Sequence, residues 1–260
     1  MSKLIDKLNG ISKTISQPIG FTTSRSPSEK PRMLLIAGLT LTPKETIKSL
    51  TDYSNNADAL LIHITKSSLA AGKAQEVTKS LPEIPWGLWL ENFGRTEIVK
   101  AGKAGSDFMV IPVSSNVAAM PQDDKSGRIV QVEPSFNENT LKAVSELKID
   151  AVLLTDRNPV LTWHYLMLIQ RFASLLTKPL LVTISTDITA DELQILWESG
   201  AAGVLFEVNS SQQVTGLRKV RQSLNSLTMP IARKKGSGGA LLPNIDRDRD
   251  TAIDIDDEED

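Results

Sequence analysis

The sequence predicts a single (β/α)8 barrel, the fold class also called a TIM barrel. Four segments that begin alike start at residues 57, 106, 149 and 201, so they recur every 43 to 52 residues. Each is a short apolar run that follows a helix-like stretch, and four more apolar runs lie between them. Eight strand-like runs therefore alternate with helix-like spacers, which is the pattern of a closed barrel.

Length and burial pattern agree with that fold class. The chain has 260 residues, close to the ~250 that are typical of one barrel. Parallel strands joined by helices are buried on both faces, which explains why the runs are almost continuously apolar. An open, doubly wound sheet is the rival fold. Closure is favoured because the repeat is fourfold and no Gly-x-Gly-x-x-Gly turn follows the first strand.

The strands are predicted directly from the apolar runs. Three of the runs between the repeats follow a nearby proline (Pro31, Pro85, Pro179) and the other begins after Gly127, two residue types that interrupt regular structure. The predicted strands cover about residues 32–39, 57–64, 86–90, 107–113, 128–132, 151–155, 180–185 and 203–208.

Capping signals place several of the helices. Residues 42–45 combine a Thr cap, a Pro at the first helical position and a Glu at the capping-box position. Thr189 and Glu192 repeat the capping-box spacing before the seventh helix, and Ser210 or Ser211 is expected to cap the last one. Residues 114–127 are poor helix material, and the remaining helices are predicted at about 67–80, 96–104, 137–147 and 160–176.

The two ends of the chain differ from the barrel, which predicts three parts: 1–31, 32–235 and 236–260. Leu4, Leu8, Ile11 and Ile15 form one stripe of an N-terminal amphipathic helix. This helix is expected to plug the bottom of the barrel or to pack on a neighbouring subunit. A membrane-surface anchor is disfavoured because the helix has no aromatic residue and a weakly basic polar face.

The C-terminal part is predicted to be a disordered acidic tail. From Asp246 onward the chain carries −7, and since the net charge is −2, residues 1–245 carry +5. Repulsion between like charges and the small number of apolar residues oppose a packed core there. Its expected role is to shield the basic body or to meet a basic partner.

Composition excludes several functional classes. The chain has no cysteine, which excludes disulfides, thiolate metal sites and cysteine nucleophiles. No apolar window is long enough for a membrane span, and no secretory signal is present, so a cytoplasmic location is expected. Residues 233–235 are an isolated basic triplet, so no nucleic-acid partner is predicted. The expected partners are a small-molecule ligand and, as an open option, a second copy of the chain.

In a barrel of this kind, the candidate site lies at the carboxyl ends of the strands. Alternate residues of a strand face the interior. If Leu61, Trp89 and Leu205 point inward, the residues two positions later do so too. Those residues are His63, Glu91 and Glu207.

Glu91 beside His63 has the parts for general acid/base catalysis. Burial raises the pKa of a carboxyl group, and a neighbouring imidazole can share its proton. A purely structural polar pair is the equally weighted alternative. Lys66 at the rim completes the catalytic set. The substrate-binding candidates are Asn116, Glu133, Arg157, Ser185, Glu207 and Ser210.

Other polar residues are assigned structural roles. Arg157 could clamp a ligand, but an ion pair with Asp156 is the more common outcome for such neighbours. His164 lies in an apolar helix and is expected in the core or in an interface. No metal and no cofactor is predicted, because the chain has no His-x-x-x-His pair and no nucleotide-binding loop.

The layout over residues 32–227 resembles the aldolase-type barrels, especially the phosphate-binding subgroup that includes the indole and histidine biosynthesis enzymes. The resemblance rests on the paired residues that open each even strand and on residues 187–193 before the last strand. It implies a phosphate site after strands seven and eight. The glycine-rich turns of that subgroup are absent here, and Glu207 is expected to repel an anion near Ser210. A Schiff-base lysine on strand six is also absent.

Two functions remain open at this point. The first is a lyase or isomerase that acts on a small metabolite, with or without a phosphate group, at the C-terminal face of the barrel. Glu91 and His63 would move the proton, and Lys66 and Arg157 would hold the anion. The second is a non-catalytic barrel that binds partners through its tails.

Overall fold

The computed structural model shows a closed barrel of eight parallel strands that pair in chain order. It describes residues 2–15, 32–40, 52–64, 84–90, 96, 105–117, 126–156, 158–208 and 213–228. The first strand pairs with the last from Leu34 with Gly203 to Leu39 with Val208, so the predicted closure is confirmed. The strands are β1 (Leu34–Thr40), β2 (Ala59–Ile64), β3 (Trp86–Leu90), β4 (Phe108–Pro112), β5 (Gly127–Val132), β6 (Ala151–Leu154), β7 (Leu180–Ile184) and β8 (Gly203–Val208).

Five helices have assigned bounds within these ranges. They are α1 (Lys3–Ile15), α2 (Glu138–Glu146), α3 (Trp163–Leu175), α4 (Ala190–Glu198) and α5 (Val214–Asn225). None of the helices in the described ranges is long and apolar enough to cross a membrane. The chain divides into two units, Met1–Thr228 with the barrel and Met229–Asp260. The second unit, with the predicted acidic tail, lies outside the described residues.

Helix caps confirm one sequence prediction and correct two. Thr189 and Glu192 form the predicted capping box of α4. The helix expected from residue 160 begins only at Trp163, because the Thr162 side chain accepts the N–H of Tyr165 and caps it there. The predicted serine cap of α5 is wrong. This helix begins at Val214 without a side-chain cap, since burial of its apolar face supplies the stability that a cap would add.

Helix α1 plugs the bottom of the barrel. Leu4, Ile5, Leu8 and Ile11 are buried in the same cluster as the inward side chains of the strands, among them Phe108. The apolar stripe is therefore used inside this chain. A second cluster lies between the outer faces of the strands and the helices, as expected for strands that are buried on both sides.

The recurring aspartates explain part of the fourfold repeat. Asp58 accepts the backbone N–H of Leu35 at 2.9 Å, and Asp150 accepts that of Arg128 at 2.8 Å. Each carboxylate thus joins the start of its strand to the start of the preceding strand. These aspartates stabilise the end of the barrel that is opposite to the candidate site.

Asp107, the recurring aspartate between these two in the sequence, holds helix α1 instead. Its carboxylate accepts the backbone N–H groups of Lys3 at 2.8 Å and Leu4 at 3.0 Å, and the Ser2 hydroxyl donates to it at 2.7 Å. A carboxylate at a helix N-terminus satisfies free N–H groups and complements the helix dipole. At this position the recurring aspartate therefore binds the N-terminus of α1 and not the preceding strand.

Candidate functional site

The inward face of the strands follows the alternation assumed from the sequence. Leu61, Trp89 and Leu205 all belong to the interior cluster. The half-buried His63 on β2 and the exposed Glu207 on β8 follow by two positions and lie toward the C-terminal mouth. Glu91, Lys66, Arg157 and Ser210 lie outside the described residues, so their assigned roles stay predictions.

A hydrogen-bonded chain crosses the mouth of the barrel above this apolar interior. The indole N–H of Trp89 donates to the Gln131 side-chain oxygen at 3.0 Å. The Gln131 amide N–H in turn donates to the Thr155 hydroxyl at 3.0 Å. The His63 ring lies 5.3 Å from the Trp89 ring, tilted by 41°. Side chains from strands that are far apart in sequence are thereby fixed relative to one another.

Gln131 and Thr155 were missed as site residues by the sequence reasoning. Each follows an inward apolar residue by two positions, Ile129 on β5 and Leu153 on β6. The alternation that selected His63 could have selected them as well. They escaped notice because neither residue type is a usual acid, base or nucleophile.

A first pocket opens at the carboxyl ends of β6, β7 and β8, with a volume of about 200 Å³. It brings together Ser185 and Glu207, two of the predicted substrate-binding residues, and adds Asp156. The backbone N–H of Asn158 donates to Asp156 Oδ1 at 3.0 Å. This pocket therefore offers carboxylate and hydroxyl groups. Its lining is Asp156, Pro159, Thr183, Ile184, Ser185, Thr186 and Glu207.

A second pocket adjoins the first at Thr186 and has a volume of about 510 Å³. It lies between the loop after β7 and the first turns of α5. Phe206 lines this pocket, whereas the next residue, Glu207, lines the first. Successive side chains of a strand point to opposite faces, so the Glu207 carboxylate is directed away from α5. The lining is Thr186, Asp187, Ile188, Phe206, Gln213, Thr215, Gly216, Lys219 and Val220.

Three other residues considered in the sequence lie apart from both pockets. Asn116 and Glu133 are exposed, after the ends of β4 and β5. His164 is exposed on α3, so the core alternative is wrong and the interface alternative stays a prediction. The buried side of α3 is carried instead by Tyr165, Ile169 and Phe172. Across the described ranges, no three His, Asp or Glu side chains gather as a metal site would require.

Tyr165 supports the first pocket from the helix side. Its hydroxyl donates to the Thr183 backbone carbonyl at 3.5 Å. The Thr183 hydroxyl donates to the Leu154 carbonyl at 3.3 Å and accepts the Asp156 N–H at 3.1 Å. Burial raises the pKa of Tyr165 to about 12, the contact with Thr183 opposes this shift, and the Asp156 charge adds to it. Tyr165 is therefore a neutral side chain that stabilises the ends of β6 and β7.

We expect a Tyr165→Phe variant to lose less stability in alkali than the wild type. The ordinary pKa of 10.0 rises to about 12 in the folded protein, so unfolding releases the Tyr165 proton between these values. The stability that neutral Tyr165 contributes is complete below pH 10. It is lost as the pH rises toward 12, which lowers the free energy of unfolding by roughly 2 to 3 kcal/mol. Unfolding in urea across this pH range measures the difference in free energy of unfolding between the two proteins. Lysine titration affects both equally and cancels in that difference. A difference that stays constant with pH would contradict the buried, neutral phenol.

Together, the fold and the mouth define a (β/α)8 barrel with polar pockets at the carboxyl ends of its last strands. Solved structures of the tryptophan synthase α-subunit from the hyperthermophile Pyrococcus furiosus have the same fold. Two mutant forms match with TM-scores of 0.59 and 0.60, each at 15% identity. A structure of the α2β2 complex matches with a TM-score of 0.58 at 16% identity. Each alignment covers 74% of this chain and 97% of the other.

The structural likeness confirms the fold that was expected from the layout of the sequence. No protein-family model matches the sequence, and no curated protein matches it either. At this level of identity the similarity concerns the fold alone, because one barrel fold carries many unrelated chemistries.

Proposed function

We propose that this protein is an enzyme, a lyase or isomerase, that acts on a small phosphorylated metabolite at the carboxyl ends of β6, β7 and β8. The observation that carries the proposal is the pair of adjoining pockets that share Thr186. One pocket offers carboxylates and hydroxyls, and the other lies at a helix N-terminus between Lys219 and Asp187. An elongated ligand with an anionic end fits that arrangement.

The anionic end of the ligand would lie in the second pocket. Thr215 and Gly216 are in the first turn of α5, whose N–H groups have no partners within the helix. Such N–H groups and the helix dipole favour phosphate. Lys219 lines the same pocket and adds a positive charge, which the Asp187 carboxylate in the same lining offsets in part. Since Glu207 is on the opposite face of β8, the repulsion expected from the sequence is weaker than the order of residues suggested.

The reacting end of the ligand would lie in the first pocket, at the mouth of the barrel. Asp156 and Glu207 line it, and carboxylates at a partly enclosed site can accept or donate a proton. His63 on β2 faces the same mouth, together with Glu91 if the alternation of β3 continues. Proton abstraction and return would give an isomerase, and proton transfer to a leaving group would give a lyase.

The fold comparison supplies only an analogy. The α-subunit of tryptophan synthase, whose fold is similar, is part of an enzyme complex. The active sites of such barrels lie at the carboxyl ends of the strands, which is where both pockets lie. The alternative is a non-catalytic scaffold, which would bind partners but would neither retain nor convert a metabolite.

The test has a binding arm and a catalytic arm. Native mass spectrometry of the purified protein identifies retained small molecules, and matched phosphorylated and dephosphorylated compounds are then titrated. We expect Lys219→Gln to weaken binding of the phosphorylated compounds about tenfold, as loss of a charged hydrogen bond does. Arg218→Gln, an exposed neighbour on the same helix that does not line the pocket, is the matched control.

Glu207→Gln should abolish most turnover and leave the affinity for phosphate unchanged, because the two pockets bind different ends of the ligand. A protein that retains no metabolite and shows no preference for phosphorylated compounds would support the scaffold alternative. Equal effects of the Lys219 and Arg218 substitutions would exclude the second pocket as the anion site.

A further inference from the structure

Helix α3 presents an apolar surface that the barrel does not use. Trp163 is 82% exposed and Met167 is 59% exposed. They are four residues apart, so they lie on the same face of the helix. Val160, three residues before the start of the helix, is 49% exposed. We call Val160, Trp163 and Met167 the α3 patch.

The α3 patch is also free of charge. The other exposed positions of α3 are His164, Gln170 and Ser174, and the only formally charged side chain of the helix is Arg171, which pairs with Glu138 of α2 at 3.4 Å. The described neighbours differ in this respect. Helix α5 exposes Arg218 and Lys219, and α4 exposes Asp191 and Glu198.

Lack of charge favours a second copy of the chain as the occupant of the patch. In a twofold symmetric dimer, each surface meets itself, so a charged surface would meet its own charge. The described surface of α3 avoids that repulsion and offers the residue types, Trp and Met, that are enriched in interfaces. We infer that the α3 patch is the contact between two copies of this chain. The inference is independent of the ligand proposal.

The area of the patch indicates how large this interface is. An exposed tryptophan offers roughly 200 Å², so the patch offers on the order of 400 Å² from each copy. With a polar rim, the total approaches ~1,200 Å², the lower limit of specific interfaces. The dimer should therefore be weak and reversible. Trp163 should be its central residue, since buried tryptophans dominate such contacts.

Sedimentation equilibrium of the full chain over a range of concentrations tests the inference. We expect a monomer–dimer equilibrium that Trp163→Glu weakens by at least about 30-fold, the loss typical of a central tryptophan. Ile195→Glu is the matched control, because Ile195 is a partly exposed apolar residue on α4 (39%) and its substitution should leave the equilibrium unchanged. Circular dichroism confirms that each variant is folded.

A mixing experiment distinguishes self-association through this patch from other arrangements. If Trp163 lies near the twofold axis, Trp163→Glu and Trp163→Lys should each be monomeric alone and should form a heterodimer when mixed, because opposite charges then meet. A wild type that stays monomeric at millimolar concentration would overturn the inference and leave the patch to a different partner. A dimer that survives Trp163→Glu would place the interface elsewhere and would overturn it too.

Discussion

Replacing both Leu4 and Leu8 with alanine should lower the free energy of unfolding by roughly 4 to 10 kcal/mol. Both side chains are completely buried among the inward residues of the barrel, and each such truncation costs about 2 to 5 kcal/mol through lost contacts and the cavity that remains. The total stability of a domain is only about 5 to 15 kcal/mol. The double variant should therefore be largely unfolded or close to it.

Urea unfolding followed by circular dichroism measures this effect. Asn9→Ala is the matched control, because Asn9 is exposed on the same helix and its substitution should change stability by less than about 0.5 kcal/mol. A double variant as stable as the wild type would show that α1 contributes little to the barrel. In that case α1 would not be the plug described above.

Gly87→Ala should be the most disruptive single addition of a methyl group to the barrel interior. A Cβ atom at Gly87 would clash with Cε2 of Phe108, and the Phe108 ring is completely buried. The rigid ring cannot move aside as the end of a flexible side chain would. We expect a loss of about 1 to 3 kcal/mol, the usual cost of overpacking.

A second substitution tests the cause. Phe108→Leu should be less harmful in the Gly87→Ala background than in the wild type, with a coupling of roughly 0.5 to 3 kcal/mol. Gly10→Ala is the control, because a Cβ there meets nothing within 4 Å and the change should stabilise α1 by up to about 1 kcal/mol. Additive effects would argue against the inward direction of Gly87, and the prediction for Glu91 depends on that direction.

The strands could be predicted because burial on both faces requires almost continuous apolar runs, which are visible in the sequence. The predicted and observed bounds are the same for Trp86–Leu90 and Gly203–Val208. Helix starts were harder to predict, since a serine before an apolar stripe marks a turn as well as a cap. The last helix shows this, because it begins at Val214, beyond the serines.

The candidate site could be predicted in direction but only partly in membership. Alternation along each strand predicts which side chains face the interior, and it selected His63 and Glu207. It does not predict which of them meet, because that depends on how far each strand is shifted along its neighbour. The bond from Trp89 to Gln131 spans 42 residues, and the second pocket depends on where α5 begins.

The central claim is that the adjoining pockets at the ends of β6, β7 and β8 bind a phosphorylated ligand. An NMR titration of the isotopically labelled protein with inorganic phosphate tests it most directly. We predict saturable shifts of the backbone amide signals of Thr186, Thr215 and Gly216, and much weaker shifts in the Lys219→Gln variant. Shifts confined to the opposite end of the barrel, near Ser2 and Asp107, or no saturable shift at all, would contradict the claim.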